Sequence, residues 1–315
     1  MSAVLDRSTS WLGLEELAGV TVIAGAALAA RTTFKIGGPA ELLVEASTEA
    51  AVREVARRSG EADVPLFVLG GGSNLLIADR GIPGIVLKLG QGFDFVRAAP
   101  NLHSTLWEVG AACSSAKALR EAVNRGFAGL EGLAGVPGLL GGAIVMNAGG
   151  RDGSIGSAVR NVRVVLGDRL ETLGPERIGF AYRSSHLPRG AILLAASLEV
   201  QPATAEQVEA RVRAATERRR ATQPLALPSA GSVFKNPPND FAGRLIEAAG
   251  CKGWREGNAE VSDKHANFIV NRGGATACDV LRLVRRVRDR VLDESGIRLE
   301  LEVKLVGDFQ EEELP

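Results

Sequence analysis

Apolar and polar positions repeat at two spacings along the chain, and each spacing predicts a different kind of element. Short apolar runs, which are typical of β-strands, occur at 41–46, 64–70 and 82–89. Between the first two runs, the segment 49–59 has the periodicity of a helix, with Ser47 or Thr48 as its N-cap. The pattern predicts a strand–helix–strand–loop–strand unit that ends near Gly90.

The middle of the chain, from about 91 to 202, combines short strands with a high content of glycine. One helix is predicted over 115–125, which Gly126 ends, and a strand over 191–200. The whole chain contains 38 glycines. Such a surplus indicates tight turns and close approach of the backbone to another group.

The last third of the chain is predicted to begin with a charged helix. Thr204 and Gln207 form a capping-box pattern for this helix, which runs to about Arg220. After a proline-rich stretch, a second helix is predicted over 239–249 with Asn239 as its N-cap.

The C-terminal elements have the clearest periodicity. A strand is predicted over 266–271, followed by an amphipathic helix over 276–293. The predicted buried stripe of this helix consists of Val280, Leu283, Val284, Val287 and Val291. The segment 298–306 alternates apolar and charged residues, which predicts a terminal strand with Glu302 on its polar face.

Composition and charge exclude several classes of protein. Apolar residues make up 45% and charged residues 23%, which excludes a disordered chain, and 315 residues predict two or three domains. Lys and Arg number 37, as do Asp and Glu, so no excess charge indicates nucleic acid or an acidic membrane. The arginine-rich stretches 218–220 and 282–290 lie on helices with interleaved acids, so solvated faces are favoured there.

Cysteine and histidine usage argues against disulfides and metal sites. The three cysteines are far apart and form no CxxC pair, which fits a reducing compartment, and the three histidines are isolated. The apolar run 17–30 follows a segment of net negative charge, unlike a signal peptide, and is too short to cross a bilayer. The expectation is a cytoplasmic protein without a metal or membrane insertion.

Two glycine-rich segments are the first candidates for ligand binding. One consists of Gly70, Gly71, Gly72, Ser73, Asn74 and Leu75; the other runs at a period of three from Gly129 to Gly141 and closes at 146–150. Consecutive glycines leave N–H groups free to converge on an anion, although a flexible turn has the same composition. The first segment lacks the Gly-Lys-Ser/Thr of a Walker A loop and the third glycine of a Rossmann fingerprint. Together the two segments suggest a dinucleotide whose pyrophosphate is held by main-chain N–H groups.

Three polar residues are candidates for chemistry, each with a simpler structural alternative. Arg183 follows Tyr182, the only tyrosine, and either clamps a carboxylate or phosphate or lies in a surface turn. Ser232 is a proton donor or part of a plain loop. Glu302, on spacing alone, is expected on a solvated strand face.

Taken together, these segments resemble the UDP-N-acetylenolpyruvoylglucosamine reductase (MurB) family. The matching segments occur in the family's order at 32–39, 70–74, 135–142, 146–149, 182–185, 229–236, 259–271 and 299–303. They cover about 21–307. The short connection from Arg183 to the next strand resembles the shorter subtype, which lacks an extra tyrosine-bearing loop.

The resemblance implies an α+β fold with three domains and non-covalent FAD. Two FAD-binding subdomains of the vanillyl-alcohol-oxidase (PCMH) type are expected at 1–90, to which 307–315 could return, and at 91–202; a substrate domain is expected at 203–306. The residues implied to hold FAD are Gly70, Gly71, Gly72, Ser73, Asn74, Leu75, Pro137, Gly138, Gly142, Val145, Ala148 and Gly149.

The resemblance also implies the reaction. With NADPH as co-substrate and FAD as carrier, two electrons reach the enolpyruvyl ether of UDP-N-acetylenolpyruvoylglucosamine and give UDP-N-acetylmuramate. Hydride addition leaves negative charge beside the substrate carboxylate, which needs stabilisation and then a proton. By match to the family motifs, Arg183 stabilises this charge and Ser232 delivers the proton. Glu302, with its carboxyl protonated, hydrogen-bonds the substrate carboxylate. The implied substrate-binding residues are Tyr182, Lys235, Asn236 and His265.

The chain differs from the family pattern at several positions, none of which is a catalytic candidate. Leu139 replaces the usual Ser or Thr, Gly150-Arg151-Asp152 replaces the usual Ala-Tyr-Gly, and Lys35 replaces a more frequent Arg. Two other functions also use such glycine loops: an FAD-linked oxidase or dehydrogenase of the same fold, and a nucleotide-binding regulatory module without catalysis. The presence of Arg183, Ser232 and Glu302 favours the reductase over both.

Overall fold

The computed structural model describes residues 12–98, 105–151 and 153–314, so His103 and Asp152 lie outside the described residues. The helices are α1 Glu49–Glu61, α2 Ser115–Arg125, α3 Leu140–Val145, α4 Pro175–Ile178, α5 Ala205–Thr222, α6 Ala242–Ala248 and α7 Ala277–Ser295. The strands are β1 Val20–Ala24, β2 Ala40–Ala46, β3 Leu66–Val68, β4 Leu75–Ile77, β5 Ile82–Leu89, β6 Val96–Ala98, β7 Leu106–Gly110, β8 Phe127–Ala128, β9 Gly149–Gly150, β10 Gly153–Ser154, β11 Val159–Leu166, β12 Arg169–Leu173, β13 Ile192–Glu199, β14 Gln201–Pro202, β15 Ser229–Ser232, β16 Arg255–Glu256, β17 Ala259–Val261, β18 Phe268–Asn271 and β19 Lys304–Val306. Across these ranges, no helix is both long and apolar enough to cross a bilayer.

The chain forms two compact units, each assembled from separated stretches. The first unit contains the chain up to Ala26 together with Ala40–Gly70 and Pro83–Glu209; the second contains Ala27–Pro39, Gly71–Ile82 and the chain from Ala210 onward. The stretches 27–39 and 71–82, which the sequence analysis placed in the first domain, thus cluster with the C-terminal part. The three-domain division, with its boundary near 90, stays a prediction.

The first unit contains two larger sheets, one from each of its predicted subdomains. One sheet has the strand order β1-β2-β5-β3, and the other has the antiparallel order β12-β11-β13-β7-β6. Thr48, one of the two predicted caps of α1, accepts a hydrogen bond from the N–H of Ala51 at 3.1 Å. Helix α2 has the predicted bounds and ends at Gly126, whose φ is 70°. The predicted β–α–β order and the helix of the middle block are confirmed.

The second unit is built on the antiparallel sheet β15-β18-β17-β16. Helix α7 packs on β16, β17 and α6, and the five residues of its predicted stripe are all buried. Its N-cap Thr276 and Asp279 form a capping box. The parallel pair β4–β19 brings Leu75–Ile77 beside Lys304–Val306.

Two predicted elements differ from the structure. Helix α6 begins at Ala242, and Asn239 is not its cap: Asn239 has a φ of 62°, and the N–H of Ala242 donates to Oδ1 of Asn236 at 3.0 Å. The strand predicted over 298–306 is regular only over Lys304–Val306. Its backbone bonds change partner along the way, because the N–H of Glu302 reaches Val233 whereas the N–H of Lys304 reaches Asn74.

Candidate active site

Arg183 lies in a tight turn of the first unit. Ala181 and Ser184 exchange backbone hydrogen bonds of 3.0 and 3.3 Å, which leaves Tyr182 and Arg183 as the two central residues of the turn. The φ of Arg183 is 56°, in the left-handed region that glycine or asparagine usually occupies at this turn position. Such conformations of other residues cluster at functional sites. The surface turn considered as the simpler alternative is therefore present, but with a strained arginine at its centre.

The Arg183 turn is bonded to the end of the second glycine segment. Nη1 of Arg183 donates to the carbonyl of Gly149 at 2.9 Å, and Oγ of Ser185 donates to the carbonyl of Val145 at 2.9 Å. Cζ of Arg183 lies 5.6 Å from the centre of the Tyr182 ring, whose residue is 55% exposed. The predicted substrate contact Tyr182 and the predicted catalytic residue Arg183 thus adjoin residues predicted to hold FAD.

Glycine is required for different physical reasons at different positions of the two predicted FAD segments. Gly138 has a φ of 112°, and a Cβ on Gly149 would lie 2.2 Å from the carbonyl oxygen of Gly153, so conformation and packing explain these two. A Cβ on Gly142, in α3, would meet no heavy atom within 4 Å, and one on Gly70 would meet the backbone N of Gly142 at 3.9 Å. Gly70 and Gly142 therefore bring the two glycine segments together beside open space.

This open backbone surface fits the pyrophosphate of a dinucleotide, because main-chain N–H groups can approach an anion without intervening side chains. Two backbone hydrogen bonds hold the start of α3 in place. The N–H of Ser115 donates to the carbonyl of Gly138 at 3.1 Å, and the N–H of Leu140 donates to the carbonyl of Cys113 at 2.8 Å. Leu139 is the N-cap residue of α3, so no side-chain hydroxyl caps the helix there. Of the other predicted FAD residues here, Pro137 and Val145 are exposed, whereas Ala148 is half-buried.

Ser232 and Glu302 are brought together in the second unit. Ser232 ends β15, opposite Phe268 of β18, and its neighbour Val233 accepts a 2.8 Å hydrogen bond from the N–H of Glu302. Both Ser232 and Glu302 are half-buried, so neither lies on a fully solvated face. A hydroxyl and a carboxyl on adjoining backbone can act on the same small group.

The first glycine segment supports this pair directly. Nδ2 of Asn74 donates to the carbonyl of Glu302 at 3.0 Å, and the carbonyl of Asn74 accepts from the N–H of Lys304 at 3.0 Å. Gly71, Ser73 and Leu75 are half-buried around it, and Gly72, with a φ of 60°, is buried. Asn74, which the sequence analysis assigned to FAD, therefore also fixes the backbone of Glu302.

The predicted substrate residues of the second unit lie on two loops. Nζ of Lys235 is 3.2 Å from Oε2 of Glu300, and Asn236 is exposed while its Oδ1 caps α6. His265 is half-buried, with its ring centre 4.8 Å from that of Phe268. Burial lowers the pKa of His265, which favours the neutral imidazole.

Two residues that the sequence analysis gave no role take part in these structures. Oγ1 of Thr33 donates to Ser229 at 2.8 Å while its N–H donates to Gly72 at 3.1 Å, so Thr33 joins the Ser232 strand to the first glycine segment. Asn147 bonds to the Arg183 turn through its side chain. Their presence inside the matching motifs was the only sequence signal for either.

Comparison with known proteins places these features in one family. Residues 40–169 match the model of an FAD binding domain, and residues 223–306 match that of the UDP-N-acetylenolpyruvoylglucosamine reductase C-terminal domain. The chain is 48% identical over 278 residues to UDP-N-acetylenolpyruvoylglucosamine reductase 2 of Symbiobacterium thermophilum, covering 88% of this chain and 89% of that protein. It is 45% identical over 294 residues to the reductase of Anaeromyxobacter sp. strain Fw109-5, covering 93% and 91%.

A solved structure gives the same result. The crystal structure of the enzyme from Thermus caldophilus superimposes with a TM-score of 0.79 at 38% identity, covering 91% of this chain and 98% of that chain. These matches confirm the predicted α+β fold with an FAD-binding part and a C-terminal reductase domain. The chain belongs to the UDP-N-acetylenolpyruvoylglucosamine reductase family.

Proposed function

We propose that this protein reduces UDP-N-acetylenolpyruvoylglucosamine to UDP-N-acetylmuramate in the cytoplasm, with NADPH as reductant and FAD as cofactor, for peptidoglycan synthesis. Its family membership and the two matching domain models support this proposal. The structural observation that supports it is the backbone hydrogen bond from the N–H of Glu302 to the carbonyl of Val233, the residue that follows Ser232.

FAD, when bound, carries two electrons from NADPH to the carbon–carbon double bond of the substrate. The residues proposed to hold it are Gly70, Gly71, Gly72, Ser73, Asn74, Leu75, Pro137, Gly138, Gly142, Val145, Ala148 and Gly149. The open space beside Gly70 and Gly142 supports backbone contacts to its pyrophosphate. The contribution of the chain is to bind and orient the cofactor.

The catalytic residues manage the charge that develops on the substrate. We assign to Arg183 the stabilisation of the substrate carboxylate, because a planar guanidinium can donate two parallel hydrogen bonds to it. Glu302, protonated when it acts, hydrogen-bonds the same group. Ser232 then delivers a proton to the carbon next to that carboxylate.

The remaining substrate contacts are assigned to Tyr182, Lys235, Asn236 and His265. The exposed ring of Tyr182 can lie against the substrate. Lys235 offers a cation to an anionic group of the substrate, and we expect its ion pair with Glu300 to open in exchange. The lowered pKa of His265 makes it a neutral hydrogen-bonding group at pH 7.

The test replaces Ser232 and measures the two half-reactions separately. In an anaerobic titration of the holoenzyme, NADPH should bleach the flavin of Ser232→Ala at nearly the normal rate, since no proton passes from Ser232 in that step. Reoxidation by UDP-N-acetylenolpyruvoylglucosamine should be slower by about 10³-fold or more, as loss of a general acid predicts. Stopped-flow absorbance of the flavin measures both rates.

The matched control is Ser295→Ala, which removes the hydroxyl at the end of α7 and should leave both rates unchanged. Equal slowing of both half-reactions in Ser232→Ala would contradict the assignment of Ser232. A wild-type protein that binds no flavin would contradict the proposed function as a whole.

A further inference from the structure

We infer that Asn147 is a positioning residue for Arg183, and that it couples the orientation of this arginine to the segment proposed to contact FAD. The inference deepens the proposed function and rests on its assignment of Arg183. All the groups involved belong to the first unit.

The amide of Asn147 uses both of its ends to bridge two parts of the backbone. Nδ2 donates to the carbonyl of Ala181 at 2.9 Å, and Oδ1 accepts from the N–H of Gly156 at 3.0 Å. Ala181 is the first residue of the turn that has Arg183 at its centre, and its carbonyl also accepts from the N–H of Ser184. Asn147 therefore fixes the turn at its backbone.

The Asn147 amide packs closely against Gly156, and its two partners, a carbonyl and an N–H, distinguish its Nδ2 end from its Oδ1 end. A Cβ on Gly156 would lie 2.7 Å from Oδ1 of Asn147 and 2.8 Å from Cγ of Phe180, so the glycine is needed for close approach. Asn147 itself has a φ of 43°, a conformation that asparagine tolerates better than most residues. Backbone and side chain at this position are thus both specified.

Two further bonds join the turn and the residue after it to the same segment. They are the bonds from Nη1 of Arg183 to Gly149 and from Oγ of Ser185 to Val145. Asn147 lies between Val145 and Gly149, so three hydrogen bonds join residues 145–149 to the turn and to Ser185, which follows it. Of these three bonds, only that of Asn147 has a backbone atom of the turn as its partner.

The left-handed conformation of Arg183 explains why such bracing matters. A non-glycine residue in this region costs about 1 kcal/mol or more, and it persists only where the surroundings impose it. Without the Asn147 amide, we expect the turn to relax and the guanidinium to move. A displacement of about 1 Å at a catalytic group can cost about 10²-fold in rate.

Two variants test this role. Asn147→Gly keeps the left-handed φ accessible and removes both bonds, whereas Asn147→Asp keeps the acceptor for Gly156 and loses the donor to Ala181. We expect both holoenzymes to retain FAD and to lose about 10- to 100-fold in kcat for substrate reduction, with a smaller change in KM. Asn124→Ala, an exposed asparagine on α2, is the control and should behave as wild type.

A double-mutant cycle with Arg183→Ala separates positioning from a general structural effect. If Asn147 acts through Arg183, Asn147→Gly should slow the Arg183→Ala enzyme by less than about twofold. The second readout is the shift of the oxidised flavin spectrum on titration with UDP-N-acetylmuramate, which gives its Kd. Asn147→Gly and Arg183→Ala should weaken this binding, and the double variant should weaken it no further than Arg183→Ala does.

The inference about Asn147 would be overturned if the losses of kcat from the two substitutions multiplied in the double variant, or if Asn147→Asp had the kcat of the wild type. Either result would leave the proposed function intact. An Arg183→Ala enzyme with normal substrate reduction would overturn the assignment of Arg183 and the inference with it.

Discussion

Glu302, to which we assign a catalytic role, is held in place through its backbone. Its N–H donates to Val233 and its carbonyl accepts from the side chain of Asn74, so both backbone groups are bonded independently of the carboxyl. The carboxyl can therefore be changed without loss of these bonds. Sequence alternation predicted an apolar face, on which Leu299 and Val303 are buried and Leu301 and Leu305 are partly buried. It could not show that the N–H of Glu302 bonds to the residue after Ser232.

Glu302→Gln should impair catalysis far more than substrate binding. Glutamine preserves the size of the side chain and the backbone bonds but has no carboxyl proton to share with the developing anion. We expect kcat for substrate reduction to fall by about 10²-fold or more, with KM within a few-fold. Steady-state kinetics at saturating NADPH measure this, with Glu217→Gln on the exposed face of α5 as the control. A rise in KM at unchanged kcat would show that Glu302 contributes only to binding.

At the scale of elements, the predictable features are those whose causes lie close together in the sequence. Helix α2 has the predicted bounds, the capping box of Thr204 and Gln207 is formed, and the predicted apolar stripe of α7 is buried. The start of α6 was predicted wrongly because its cap is Asn236, six residues before the first helical residue and across two prolines. Such a cap has no local signature.

The start of α7 has a second cap, from a residue almost 200 positions earlier in the chain, which no sequence pattern predicted. Oδ1 and Oδ2 of Asp79 accept from the N–H groups of Ala277 and Cys278 at 2.8 and 3.1 Å. These are among the N–H groups that a helix cannot satisfy internally, and a carboxylate there also meets the positive end of the helix dipole. Asp79 thus joins the loop after β4 to α7 within the second unit.

Asp79→Ala should lower the free energy of unfolding by about 1 to 2 kcal/mol, because it leaves two N–H groups of α7 without their acceptor. Urea denaturation followed by circular dichroism measures the change. Asp289→Ala, an exposed position on the same helix, should change it by less than about 0.5 kcal/mol. Equal stability of the two variants would mean that water replaces Asp79 at no cost.

At the scale of the whole molecule, the ordered set of motifs predicted the family and the fold, and the comparisons confirmed both. Single motifs could not predict the family, because glycine occurs in them for different reasons. Gly149 is required by close packing, whereas Gly142 lies beside open space. The grouping of 27–39 and 71–82 with the C-terminal part also could not be predicted from the sequence. It depends on contacts between residues far apart in the chain, such as those between β4 and β19.

Gly142→Asp should give a folded but colourless protein. The new side chain has room, because no heavy atom lies within 4 Å of its Cβ, but its carboxylate would repel the pyrophosphate of FAD. Loss of a bound ligand also removes the stabilisation that it provides, so Tm should fall to that of the flavin-free wild type. Absorbance at the flavin bands and thermal unfolding measure both effects.

The matched control is Gly60→Asp, which makes the same change at a helical glycine with open space, in α1. It should keep its yellow colour. Full flavin content in Gly142→Asp would place the pyrophosphate elsewhere.

The assembly of the second unit from three stretches has a consequence for recombination. A gene fragment that starts at codon 210 would encode α6, α7 and their sheet but would lack Phe34, Ile36 and Leu76 of the same hydrophobic core, and Asp79 as well. Its product would expose apolar surface where those three side chains pack. Homologous enzymes should therefore exchange this unit successfully only when the crossover also transfers the two short N-terminal inserts, so chimeras with one breakpoint near 210 should aggregate.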